Sequence, residues 1–509
     1  VKPESGENIS IWADTFDVPE FGKLKEDLQT DVIIVGAGIT GLTAGCLLST
    51  KGIKVVLVDD GNIGGGETAR TTAHITNVID DRYYNISRLH GEKAARLAAD
   101  SQTAGINLIR ELAAEYNIEC ELKTVDGFLL FSPNDPADEL EREYEACKLA
   151  GVEVYIEPQA PLETFKSYPC LRFPGQAEFH ALKYISGLAK IIENYGGKIF
   201  THTHASKIED SNEEVRKKVK VKCGDFTITA DNAVVATNSP ISDYVAIHTK
   251  QTANRTYVIA AEIPGEKFTE ALFWDTENPY HYIRKYKNKG NTYLLVGGED
   301  HKTGQEEDPE ERFIKLERWM RDKFSYTGKV VYKWSGQVME PIDGLGFIGK
   351  DPENSESVYI STGDSGMGIT HSAFSAILLT DLITGQPNEW KELYDPGRIT
   401  LKAAPQFISE GVNMAVQYID IITPPEVSST EEITSGEGAI IGTGVDKLAV
   451  YKDNDGRVYT FSALCPHLKC IVQWNKTEKT WDCPCHGSRF EATGNVINGP
   501  ALNGLKKHN

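Results

Sequence analysis

Near the end of the chain, Cys465-Pro-His467 and Cys483-Pro-Cys-His486 stand fifteen residues apart. Each run brings a thiol and an imidazole within two or three residues, so the four side chains can supply one metal centre. Tetrahedral zinc accepts two cysteines and two histidines. A [2Fe–2S] cluster accepts the same set, with two thiolates on one iron and two imidazoles on the other. A second constellation lies near the start. Gly36-Ala-Gly38-Ile-Thr-Gly41 follows an apolar run, and Asp59 comes 18 residues after Gly41. Glycines at this spacing allow a tight turn and a close approach of backbone to a pyrophosphate, whose charge rests at a helix N-terminus. An acidic residue ending the next strand accepts ribose hydroxyls.

The surrounding elements must position these groups. Asp31-Val-Ile-Ile-Val35 is apolar and β-branched, as a buried parallel strand requires. A helix-like stretch runs to Thr50, Gly52 ends it, and Lys54-Val-Val-Leu-Val58 completes a βαβ unit. The uncharged run from Val32 to Thr50 is not read as a membrane span, because four glycines break it into strand, turn and helix. Gly344-Leu-Gly-Phe-Ile-Gly349 repeats the glycine pattern without a following helix. A loop is predicted there, and no separate NAD(P)H domain. Apolar spacing predicts a helix over 91–116, and strands within 195–236, 255–300 and 329–338. Residues 355–384 read as strand, glycine turn and long helix, and 405–422 as a further helix. Thr423 to Thr430 is a Pro- and Ser-rich linker, and short strands follow it, with a hairpin turn at Asp453-Asn-Asp-Gly456.

Cys465-Pro-His-Leu-Lys-Cys470 and Cys483-Pro-Cys-His-Gly-Ser488 resemble the cluster-binding boxes of Rieske proteins almost residue for residue. The resemblance favours a [2Fe–2S] cluster over zinc. It implies Cys465 and Cys483 on the inner iron, His467 and His486 on the outer one, and a Cys470–Cys485 disulfide bracing the loops, as in respiratory-type Rieske proteins. Ser488 matches the serine that donates to a bridging sulfide. Phe490 stands where the respiratory proteins place a tyrosine donor, which implies a lower reduction potential than theirs.

Gly64-Gly-Gly-Glu-Thr-Ala-Arg70-Thr-Thr-Ala-His-Ile75 resembles the segment after the ribose acid in the D-amino-acid oxidase superfamily. This implies that Thr68, Arg70 and Thr71 line the flavin pyrophosphate and ribityl chain. Tyr359-Ile-Ser-Thr-Gly-Asp-Ser-Gly-Met-Gly-Ile-Thr370 resembles that superfamily's closing motif. It implies that Gly363, Gly366, Gly368 and Thr370 sit where a helix N-terminus stabilises the reduced ring. From Trp12 on, the chain resembles bacterial FAD-dependent oxidoreductases with a C-terminal Rieske domain. The expected cofactors are therefore FAD and a Rieske [2Fe–2S] cluster. The expected fold is an α/β, Rossmann-like FAD-binding domain of D-amino-acid oxidase type, an α+β substrate domain and an all-β Rieske domain. The expected boundaries are an extension at 1–27, FAD-binding segments at 28–90, 186–240 and 345–400, cap segments at 91–185 and 241–344, a connecting helix and linker at 401–430, and the Rieske domain at 431–509.

In that superfamily a second, largely sheet domain covers the flavin. Tyr280-His-Tyr-Ile-Arg284 falls in it. Arg284 could clamp a substrate carboxylate while Tyr282 orients it, or the pair could sit on a strand with a structural ion pair. His301 could be a base or a turn histidine. His74 could pack near the flavin or attach to it. His371 could face the flavin or cap its helix. His90, His180 and His248 carry no functional expectation.

A two-electron flavin joined to a one-electron cluster predicts a relay. A small amine or amino acid gives a hydride to the flavin, and electrons leave singly through the cluster to an external acceptor. A reductase fed by a ferredoxin-like donor and a non-catalytic electron-transfer module stay open on sequence. A Rieske oxygenase is not expected, because no segment offers the two histidines and carboxylate of a mononuclear iron site. The net charge of −21 excludes nucleic acid as an expected partner. Residues 431–509 carry nine acidic and nine basic side chains, so the negative excess lies in the first 430. That excess serves solubility or the docking of a basic partner. The start, Val1-Lys2-Pro3-Glu4, does not read as a secretory signal, and the scattered cysteines suggest no disulfide framework, so a cytoplasmic chain without a membrane span is expected.

Overall fold

The computed structural model describes residues 5–165, 168–211, 218–241, 245–352, 357–421 and 423–508. Its first sheet is organised by the fingerprint strand Leu28–Val35, which is buried over its last four residues. That strand lies parallel between Phe226–Val235 and Val55–Val58, with Ile33 opposite Ala233 on one side and Val56 on the other. Lys198–Phe200 and Val358–Thr362 extend the parallel order outwards. Helices Ile39–Thr50 and Gly368–Thr384 pack together against this sheet. Val32, Ile34, Val55 and Leu57 pack on the helix side, and Ile33, Val35, Val56 and Val58 pack on the other side against Val219 and Val221, so both faces are covered and these strands read as unbroken apolar runs.

The second glycine pattern is a correction. Phe347–Lys350 is an antiparallel edge strand on Val358–Thr362, not a loop. Phe347 and Ile348 are buried there, and the pairing satisfies their backbone.

The second sheet runs in the order Val330–Pro341, Gln251–Glu262, Asn291–Lys302, His281–Asn288, Leu272–Asp275, Lys123–Leu130, Cys170–Glu178 and His74–Ile75. Neighbours are antiparallel except Leu272–Asp275, which runs parallel to Lys123–Leu130. The last short strand matters for function: the chain leaves the flavin loop and joins the second sheet at His74. Helix Glu92–Glu115 occupies the stretch predicted at 91–116. Helix Pro309–Lys323 buries Phe313, Leu316 and Met320 against the outer part of the sheet.

Helix Ala404–Gln417 has no buried side chain, and Tyr418 just beyond it donates to the Leu468 carbonyl at 2.7 Å. The C-terminal unit consists of two small antiparallel sheets. Glu437–Ile441, Leu448–Lys452 and Val458–Ser462 form one; Gln473–Asn475, Thr480–Asp482, Arg489–Glu491 and Val496–Asn498 form the other. Trp481, Phe490, Cys465 and Cys483 share its core. Among the described residues, no helix is long and apolar enough to cross a membrane.

Candidate flavin cleft and iron–sulfur centre

A cleft of about 870 Å³ opens where the two sheets meet, at the upper end of the range for small-molecule sites. Gly36, Gly38, Asp59, Thr68, Arg70 and Thr71 line it, as do Gly363, Gly366 and Gly368. Gly36 has a φ of +105°, and a Cβ on Gly41 would overlap the Gly36 carbonyl. Gly41 therefore serves the tight turn behind the cleft, not its lining. Asp59 ends its strand with Oδ2 accepting from the Ala37 N–H at 2.6 Å and Oδ1 from the Gly61 N–H at 2.9 Å. Gly38 caps helix Ile39–Thr50 without a side chain, and the Thr68 hydroxyl accepts the Ile39 N–H at 3.1 Å.

Three expected ligands play other parts. Thr370 is buried and accepts the Thr76 N–H at 3.1 Å, which ties the closing helix to the flavin loop. Arg70 reaches the cleft, but its guanidinium is committed to the Ser335 carbonyl, to Glu478 and to the Asn8 carbonyl. Arg284 does not line the cleft. It is 1 % exposed, lies 3.2 Å from Glu178 and donates to the carbonyls of Thr72 and Ala73. With Nε and Nη1 engaged inside the protein and the side chain off the cleft, this buried guanidinium holds the flavin loop and does not meet a substrate carboxylate.

His301 also lies outside the cleft. Its Nε2 is 2.8 Å from the Tyr257 hydroxyl, and burial lowers its pKa to about 4. His74 does line the cleft. Burial first and Arg284 second lower it to about 3, so it is a neutral ring. Tyr282 lies beside it, 6.0 Å between rings, and its hydroxyl is 2.7 Å from that of Thr256. His371 lines the cleft, and its Nε2 has no hydrogen-bond partner among the described residues.

Sequence reasoning missed the carboxyls. Asp80 and Asp364 both line the cleft, and burial raises each to about 7. Asp300 is likewise raised to about 7 by burial, and Glu340 is raised as well. Asp364 stood inside the quoted closing motif, so its neighbourhood was legible although its role was not. Nothing local marked Asp80.

The iron–sulfur loops meet at the edge of the C-terminal unit. Cys465 and Cys483 are buried with their thiols in hydrogen-bond contact, and the rings of His467 and His486 lie 5.0 Å apart. No three ligating atoms of these four residues lie within 4.8 Å of one another. A thiol pair and a separate imidazole pair suit two irons and not one tetrahedral zinc. His486 is 4 % exposed, and among the described residues neither ring nitrogen is hydrogen-bonded, which suits a buried metal ligand. Cys470 and Cys485 form a disulfide across the two loops. Ser488 touches the Cys465 thiol.

His248, set aside on sequence, faces this centre. Its ring lies 5.1 Å from His467 and 6.4 Å from His486, and neither of its nitrogens has a hydrogen-bond partner among the described residues. Gln337 links the two sites more directly. It lines the flavin cleft, and its Nε2 donates to the Gly487 carbonyl at 2.8 Å.

Two sheets around a dinucleotide cleft, with a two-thiol, two-imidazole centre docked on them, define a flavin oxidoreductase that carries an iron–sulfur module. The chain belongs to the FAD dependent oxidoreductase family, whose profile matches residues 31–382, and a Rieske [2Fe-2S] domain matches 423–509. FAD and a [2Fe–2S] cluster are accordingly its cofactors. YhfW of Bacillus subtilis (strain 168), which carries the name Rieske 2Fe-2S iron-sulfur protein, is 31% identical over 98% of this chain and 97% of its own. Gamma-glutamylputrescine oxidoreductase of Escherichia coli (strain K12) is 23% identical over 72% of this chain and 86% of its own. Among solved structures, glycine oxidase from Geobacillus kaustophilus shares the fold, with a TM-score of 0.62 at 19% identity over 73% of this chain and 99% of that one.

Proposed function

We propose that the protein oxidises a small cationic amine at the flavin and releases the electrons singly, through the cluster, to an external one-electron acceptor. The observation that carries this reading is the charge of the cleft. Arg70 is the one Arg or Lys that lines it among the described residues, and Glu478 holds that guanidinium. Asp80 and Asp364 line it as carboxyls raised to about 7. A cation entering between them relieves the cost of their ionisation. A substrate carboxylate finds no free cation to meet it. The similarity to gamma-glutamylputrescine oxidoreductase points the same way.

FAD, when bound, supplies the hydride acceptor, and the cluster supplies one-electron carriage. The chain's own groups bind and deprotonate. A carboxyl that titrates near 7 is a suitable acceptor for the ammonium proton, so Asp80 is the assigned base. His74, lowered to about 3, is too weak for that task and serves as a neutral wall beside Trp274 and Tyr282. Tyr280 and Tyr282, 5.7 Å apart, complete an aromatic enclosure suited to an alkylammonium.

Anaerobic mixing of the holoprotein with pools of mono- and diamines, and separately with pools of amino acids, tests the reading. Flavin bleaching by an amine pool, followed by a Rieske EPR signal, is expected. Bleaching by the amino-acid pools alone would sink the cationic-amine assignment.

A further inference from the structure

The flavin fold does not close its own cleft. Asp59 marks the ribose position, and the segment beside it is held close: the Thr203 N–H donates to the Asp59 carbonyl at 2.7 Å, and the His202 N–H to that of Gly61 at 3.1 Å. Against this segment lies the tail of the Rieske domain. His204 Nε2 is 3.0 Å from the Leu502 carbonyl, and its Nδ1 is 3.4 Å from Asp60. Ile497, Leu502 and Asn503 line the same cleft as Gly36 and Gly38.

The tail is fixed at both ends of this contact. Asn498 donates to Glu67 of the flavin loop at 3.2 Å and accepts from Arg489 of the Rieske domain at 3.2 Å. Ala501 donates its N–H to Ser488 at 3.0 Å, and Ser488 touches the Cys465 thiol. One segment thus borders the dinucleotide cleft on one side and the cluster loop on the other.

We propose that Val496 to Gly504 of the Rieske domain form the outer wall of the adenosine half of the FAD site. FAD binding and docking of the Rieske domain then reinforce each other, because a ligand that bridges two bodies stabilises the closed pair in proportion to its affinity for it. The proposal concerns cofactor retention and holds whatever the substrate is.

The test uses the full-length protein with its cluster in place, and two variants. Leu502→Glu sets a carboxylate in the wall, and Asn503→Glu does so from an exposed position that no core depends on. FAD is titrated into flavin-stripped protein and followed by flavin fluorescence, while the Rieske EPR spectrum reports the cluster. Leu502→Glu is expected to weaken FAD binding at least tenfold, and Asn503→Glu at least threefold, both with an unchanged EPR spectrum. An FAD Kd within twofold of the parent in a variant that keeps its EPR spectrum overturns the proposal. If Leu502→Glu loses the cluster, Asn503→Glu alone decides.

Discussion

Glu478, in a turn of the Rieske domain, receives Arg70 of the flavin loop at 3.1 Å, with side chains only 1 % and 4 % exposed. Arg255 approaches the same carboxylate oxygen at 3.5 Å from the second sheet, and the Ser335 hydroxyl donates to it. The N-terminal extension joins in, with the Asn8 N–H donating to Glu478 Oε2 at 3.3 Å and the Glu7 N–H to the Glu478 backbone carbonyl at 3.1 Å. Four parts of the chain therefore converge on one buried charge. Burial alone would raise Glu478, but Arg70, Arg255 and Arg489 hold it down to about 2.

Glu478→Gln leaves two buried guanidiniums without their counter-charge. Loss of one partner from a buried pair costs about 3–5 kcal/mol. Chemical unfolding of the holoprotein should show a loss of that order, with the Rieske domain released first. The pH dependence follows from the sign of the shift. A carboxyl lowered from 4.5 to about 2 contributes stability above pH 4.5 that disappears as pH falls towards 2. The gap between parent and variant should close over that interval. A gap independent of pH would show that the Glu478 charge contributes nothing.

Asp80 gives the opposite sign. Its carboxyl is neutral well below 7 and anionic above. For a cationic amine, kcat/KM should rise as pH passes through 7, and Asp80→Asn should flatten that rise. A lost charge-assisted hydrogen bond of about 1.5–3 kcal/mol corresponds to roughly 10- to 150-fold in KM. Because burial raises the carboxyl above its ordinary 3.8, the variant should also gain stability relative to the parent as pH rises from 3.8 through 7. A pH profile unchanged by Asp80→Asn removes Asp80 from the role of base.

Some of this was legible in the sequence because it is local. Gly36, Gly38, Gly41 and Asp59 belong to one βαβ unit, and Cys465, His467, Cys483 and His486 lie in two short loops. Side chains that meet only through tertiary packing carried no such mark. On sequence Arg284 stays open between a substrate clamp and a structural ion pair, because its strand is legible while its partner Glu178, over a hundred residues away, is not. The same blindness hid His248 beside the cluster histidines and Asp80 in the cleft. The glycine pattern at 344–349 reads as a loop, yet Phe347–Lys350 forms a strand, because burial of Phe347 and Ile348 outweighs turn propensity.

Phe490 is fully buried in the core that holds Cys465 and Cys483. Phe490→Tyr would restore a hydroxyl donor towards the reduced, more negative cluster. One added hydrogen bond of about 1 kcal/mol is worth roughly 40 mV for a one-electron couple. Protein-film voltammetry should find the potential raised by that order, with EPR confirming an intact cluster. An unchanged or lower potential would show that the phenol does not reach the cluster sulfurs.

Gly487 is where the cluster loop presses on the flavin domain. Its φ is +76°, and a Cβ there would overlap that of Ala253 and lie 2.6 Å from Gln337 Nε2. Gly487→Ala should therefore destabilise the docked state twice, through left-handed backbone strain of about 1–2 kcal/mol and through contact with a side chain too short to move aside. The two parts are separable. Ala253→Gly removes the obstructing methyl but leaves the strain, so the double variant should recover the contact part alone. Gln337→Ala removes only the hydrogen bond to the Gly487 carbonyl and should cost about 1 kcal/mol. Chemical unfolding of the three variants, with EPR as the check on the cluster, measures each part. If Ala253→Gly fails to rescue Gly487→Ala, the glycine serves the cluster loop itself and not the close approach of the two domains.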